Sequence, residues 1–119
     1  MAGGNPQLTP AAFQTLLALA NGRGGRAHGY AIMGFVGEMS GGAAQLGPGT
    51  LYRTLARLVA DGLAEEAPDE SEDQPHDSRR RYYRLTPAGR EAAAREAEFL
   101  SRLVAVAGRA GLLKRAESA

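Results

Sequence analysis

Apolar residues recur along the chain at spacings that mark out its elements. After Thr9-Pro10, a hydroxyl followed by proline that suits a helix start, Phe13, Leu16, Leu17 and Ala20 follow at helical spacing. Asn21-Gly22 ends that segment, and Arg23–Ala27 reads as a Gly/Arg loop. A second helix is predicted from about His28 to Met39, with Ile32, Met33, Val36 and Met39 on one face. Gly34 and Gly37 weaken it by up to about 1 kcal/mol each, and Ser40-Gly41-Gly42 stops it.

The third helix carries the most information. Following Leu46-Gly47-Pro48-Gly49, an apolar stripe of Leu51, Leu55, Leu58 and Val59 is expected to face the core. Thr50, Arg53, Thr54 and Arg57 fall at i, i+3, i+4 and i+7 and form a polar stripe on another face. That stripe has hydroxyls and arginines and meets no acid until Asp61, where Asp61-Gly62 closes the helix. Leu63–Ala67 and Arg79–Leu85 read as two strands of a hairpin, with Arg81, Tyr83 and Leu85 on one face of the second. The residues between them, 68–78, are polar, acidic and contain two prolines, and are expected to form a long loop.

Thr86-Pro87 repeats the hydroxyl–proline start, and a last helix is predicted from Pro87 towards Leu113, about 40 Å long. Within it Phe99, Leu103, Val106, Ala110 and Leu113 recur at spacings of 4, 3, 4 and 3, the a/d seam of a helix that pairs with another helix. The seam could cover the protein's own first helix, but its narrowness favours a second copy of the chain. Gly108 and Gly111 either end the helix early or let a partner approach closely. Residues 1–7 and 114–119 are expected to be disordered tails. The chain then divides into a domain over 8–86 and a dimerisation helix over 87–113.

Composition narrows the function. A chain of 119 residues makes one domain with one core. It has no cysteine, so it has no disulfide, thiolate nucleophile, zinc finger or iron–sulfur cluster, and two histidines do not make a metal site. No cofactor is expected. The start MAGGNPQLTP lacks the basic and apolar regions of a signal peptide, and the apolar runs are too short to span a membrane, so a cytoplasmic protein is expected. Serine has no histidine and acid at recognisable spacing, and no glycine-rich phosphate loop precedes a lysine, so an enzyme is not expected.

The net charge of +1 hides a polarised distribution. Seven of the 13 acidic residues lie between Glu65 and Asp77, and Arg79, Arg80, Arg81 and Arg84 follow them. Any anion-binding surface is therefore local rather than global.

Three short helices, a hairpin and a long helix describe a mainly α fold with a small β-hairpin. This is a winged helix-turn-helix plus a long C-terminal helix. In such a fold the second helix of the pair lies in the major groove with its N-terminal residues at base edges. Arg53 and Arg57 are then placed for guanine edges or phosphates, Thr50 for a phosphate oxygen at the helix start, and the wing arginines for the backbone. Tyr52 either packs against the first helix or reaches the backbone, and Tyr82 is equally open. His28 is expected to begin the second helix as a structural residue.

The runs HGYAI (28–32), LGPGTLYRTLARLVADGL (46–63) and RRRYYRLTPAGR (79–90) resemble the PadR family of bacterial transcriptional regulators, over about residues 8–107. The resemblance implies a winged-helix domain with a single C-terminal helix that mediates homodimerisation. It also implies a repressor that leaves its operator, an inverted repeat in double-stranded DNA, when a small hydrophobic or phenolic effector binds. By motif the DNA-binding positions are Gly49, Thr50, Tyr52, Arg53, Thr54 and Arg57, with Arg79, Arg80 and Arg81 at the wing. The carboxylates of 68–78 would repel phosphates, so the wing tip is expected to stay away from DNA. Candidate effector-pocket residues near the symmetry axis are Phe13, Leu17, Phe99 and Leu103. The competing reading is a winged-helix module that binds protein through the acidic loop and makes no specific DNA readout.

Overall fold

Thr9 starts the first helix as the hydroxyl–proline pair predicts. The computed structural model describes residues 8–67 and 81–114. In it the Thr9 hydroxyl accepts from Ala12 N–H at 3.1 Å, with Pro10 as the first residue of α1 (Pro10–Ala20). His28 performs the same task for α2 (Gly29–Met39), its Nδ1 accepting from Ala31 N–H at 3.3 Å. Helix α3 (Pro48–Ala60) and helix α4 (Pro87–Arg109) follow, joined through a small sheet.

The core lies where α1, α2 and α3 meet. Leu16, Leu19, Ile32, Val36, Leu51 and Leu55 are all but fully buried there. Each contributes roughly 1.5–3 kcal/mol relative to exposure. Two stripe residues depart from expectation: Met39 and Val59, each in the last turn of its helix, are exposed.

The predicted two-stranded hairpin is a three-stranded antiparallel sheet. Residues Arg26–His28, read as loop, form β1, and the order is β1-β3-β2 with β2 at Ala64–Ala67 and β3 at Tyr82–Leu85. Ala27 pairs with Tyr83 in the centre, and both are buried. Leu63 falls before β2, and residues 79 and 80, predicted to open the second strand, lie outside the described residues along with the acidic loop 68–78. So do most of the predicted tails.

Helix α4 ends four residues short of the predicted Leu113. Gly111, at φ 79°, turns the chain off the helix axis, and Leu112 N–H donates to Ala107 O at 2.9 Å while Gly111 N–H donates to Gly108 O at 3.1 Å. This is the paired closure that glycine permits after a helix. Ala110 is thus the C-cap, and Leu113 lies beyond the helix rather than on its seam.

The start of α4 is bolted to the turn between α3 and β2. The Thr86 hydroxyl donates to Gly62 O at 2.6 Å and accepts from Gly89 N–H at 3.0 Å, and Thr86 N–H donates to Leu63 O at 3.2 Å. A Cβ on Gly89 would run into the Leu63 carbonyl. Gly89→Ala is therefore expected to cost about 1–3 kcal/mol in urea denaturation, because backbone rather than a pliable side chain blocks the methyl. A variant as stable as the parent would show that the joint relaxes freely.

Candidate nucleic-acid interface

Helix α3 begins without a side-chain acceptor: Gly47 caps it and Pro48 has no N–H to satisfy. No acidic residue sits in its first turn, so the positive helix end meets solvent at Gly49 and Thr50, both exposed. Leu51, Leu55 and Leu58 anchor the opposite face in the core. This anchoring holds Arg53, Ala56 and Arg57 in solvent, whereas Thr54 is half-buried at the flank. An Arg53 guanidinium N–H reaches toward Thr50 Oγ1 at 3.5 Å, and Arg57 lies 3.4 Å from Asp61. Both contacts are weak. The Arg57 side chain is 81% exposed, so its pairing with Asp61 yields readily to a phosphate.

Tyr52 leans away from this row. Its hydroxyl end lies over Gly29, the first residue of α2, where any side chain would collide with it. It therefore packs on the second helix rather than the first, with 45% of its surface still in solvent. Tyr30, which follows Gly29 in the first turn of α2, is 80% exposed. Sequence reasoning did not single out Tyr30; its place outside the buried face of Ile32 and Val36 was the available signal.

At the wing, Arg84 Nε contacts Glu65 at 2.8 Å across a directly opposed pair, and Arg81 lies 3.4 Å from Glu66. The wing arginines that the structure describes are thus held by β2 carboxylates in exposed ion pairs. Arg79 and Arg80 lie outside the described residues. Tyr82 is fixed between neighbours: the Arg26 guanidinium stands 5.4 Å over its ring, and the His28 ring meets it edge-on at 5.2 Å.

A groove of about 930 Å³ runs between the polar side of α3 and the first half of α4. Thr50, Arg53, Thr54 and Arg57 form one wall, and Ala92, Arg95, Glu96 and Phe99 the other. Leu8, Leu58 and Leu63 are among its apolar lining. Of the four positions expected to line an effector pocket, only Phe99 borders this groove. Phe13 and Leu17 are half-buried in α1 outside its lining, and Leu103 lies further along α4, 50% exposed. Arg95 and Glu96 were missed because nothing in the sequence reports that α4 passes α3.

The seam of α4 is in solvent. Leu103, Val104 and Val106 are about half exposed, and Phe99 half-buried. Among the described residues no cluster of His, Asp or Glu could hold a metal, and no helix is long and apolar enough to cross a membrane.

The model of the transcriptional regulator PadR-like family matches residues 16–95. The chain is 42% identical over 88 residues to an uncharacterized 37.1 kDa protein in transposon TN4556 of Streptomyces fradiae, covering 74% of this chain and 22% of that protein. It is 46% identical over 67 residues to the transcriptional regulator Rv3488 of Mycobacterium tuberculosis, covering 56% of this chain and 58% of that one. Thus it spans about a fifth of the first relative and somewhat over half of the second. In structure it resembles a transcriptional regulator from Clostridium thermocellum, with a TM-score of 0.66, 24% identity, and 83% and 87% of the two chains covered. At that identity the likeness shows the fold alone.

Proposed function

This chain belongs to the transcriptional regulator PadR-like family, and from that premise we propose that it binds an inverted repeat in double-stranded operator DNA as a homodimer. The family is one of transcriptional regulators, which are not enzymes. The observation that carries the reading is the exposed start of α3, where Gly49, Thr50 and Arg53 meet no carboxylate among the described residues, on a helix locked into the core.

Inserted into a major groove, α3 presents Arg53 and Arg57 to guanine edges or phosphates, while the Gly49 and Thr50 amides face a phosphate oxygen. Tyr52 flanks them from its seat on α2. The wing supplies Arg81, whose exposed pair with Glu66 exchanges for a phosphate at little cost; Arg79 and Arg80 adjoin it in sequence. Dimerisation through Phe99, Leu103 and Val106 of α4 sets the spacing of two such surfaces. As a repressor, the protein would release its operator when a small hydrophobic or phenolic effector binds one dimer arrangement better than the other.

Selection from a random DNA pool, with binding repeated at two salt concentrations, tests the reading. An enriched inverted repeat with half-sites about 34–36 Å apart, and a slope of log affinity against log salt that steepens by about 0.9 per phosphate contact, are expected. Weak, sequence-blind binding that moderate salt removes would leave only a basic patch and favour a protein partner.

A further inference from the structure

We propose that the dipeptide His28-Gly29 is the positioning element that holds the wing and α3 at one spacing, so that Arg81 and Arg53 meet the same stretch of DNA. The inference rests on the DNA-binding reading above and adds to it how the two grips are kept in register.

No loop separates β1 from α2: the strand ends at His28 and the helix begins at Gly29. These two neighbours touch two different DNA-facing elements. The His28 ring meets the Tyr82 ring of β3 edge-on at 5.2 Å, across a directly opposed strand pair. Gly29 lies under the hydroxyl end of Tyr52 of α3, so close that a Cβ there would collide with it. Each tyrosine adjoins an arginine assigned to DNA: Tyr82 follows Arg81, and Tyr52 precedes Arg53. Strand β3 packs chiefly on β2, β1 and α1. Its path to α2 therefore runs through β1, and His28 is where β1 becomes α2. Arg26, from the same strand, holds the face of the Tyr82 ring, but of the two residues His28 is the one that also caps a helix.

The imidazole is thus engaged on two sides. Its Nδ1 accepts from Ala31 N–H at 3.3 Å, so that nitrogen carries no proton and the ring is the uncharged form with its hydrogen on Nε2. The capping acceptor and the aromatic edge can be separated. Asn supplies the first without the second, changes no charge, and suits the extended backbone of this N-cap. Phosphate contacts carry no sequence information, but they fix the register in which base-reading side chains meet the duplex. A wing that shifts against α3 therefore weakens operator binding, whereas sequence-blind attraction follows charge alone and stays the same.

Fluorescence anisotropy against the duplex enriched by selection and against a scrambled one, beside thermal melts, tests the proposal. His28→Asn should melt within about 5 °C of the parent. It should bind the operator roughly three- to tenfold more weakly, the scale of one edge-to-face aromatic contact, and bind the scrambled duplex as before. His28→Ala loses the cap as well, so it should melt about 4–8 °C below the Asn variant yet bind the operator no worse while folded. Arg81→Ala should then cost the His28→Asn variant less than half the fold-loss that it costs the parent, because residues acting through one another do not add. Full additivity, or an Asn variant that binds the operator like the parent, would make His28 a cap and nothing more, with the DNA-binding reading intact. A parent that enriches no sequence would overturn that reading and the proposal together.

Discussion

Arg53→Ala combined with Arg57→Ala is expected to weaken binding to the selected operator by roughly 100- to 1000-fold, with little change in stability. Each good arginine contact to a base or phosphate is worth about 1–3 kcal/mol, and losses at neighbouring contacts only partly add. Neither side chain supports the fold, since both lie in solvent and their partners, Thr50 and Asp61, are surface contacts at 3.5 and 3.4 Å. The one ion pair lost contributes about 0.3–0.5 kcal/mol, which alanine's helix propensity offsets. Fluorescence anisotropy against the operator and a scrambled duplex, beside a thermal melt, separates the effects. Arg→Lys at both positions should retain much of the salt dependence but lose sequence preference, because lysine keeps the charge without the planar fork. Unchanged affinity for both duplexes in the alanine variant would mean that α3 does not read DNA.

Why the sequence announced this surface so clearly, and others not, follows from what local patterns can encode. The α3 stripe is a local property: the spacing of Leu51, Leu55 and Leu58 dictates which side is buried and so which arginines are left out. The caps at Thr9 and Thr86 are local too, and each bonds as its motif requires. Strand β1 is different. Three residues carry no alternating signal, and Arg26–His28 become a strand because Tyr82–Leu85 offers an open edge from far along the chain. The turn at Gly111 was visible as a choice between two roles, and the competition was settled by hydrogen bonds that close α4 early. The groove was invisible for the same reason as β1. Arg57 and Glu96 share it only because the joint of Thr86 and Gly89 on Gly62 and Leu63 aims α4 past α3.

That aim gives α4 its own decisive test. Leu103→Asp with Val106→Asp is expected to yield a folded monomer whose operator affinity falls by about 100- to 10,000-fold, the range lost when two linked binding events become separate ones. Folding should survive, because both side chains are already about half in solvent in the single chain, and neither belongs to the core around Leu16 and Leu55. Binding to an isolated half-site should barely change, since α3 and the wing are untouched. This is the contrast with the arginine variant, which loses half-site and operator binding together. Sedimentation velocity, a urea melt and anisotropy on both duplexes give the comparison. A variant that is monomeric yet binds the full operator as before would place the half-site contacts within one chain. The two-fold argument would then fail even with Arg53 and Arg57 in contact with DNA.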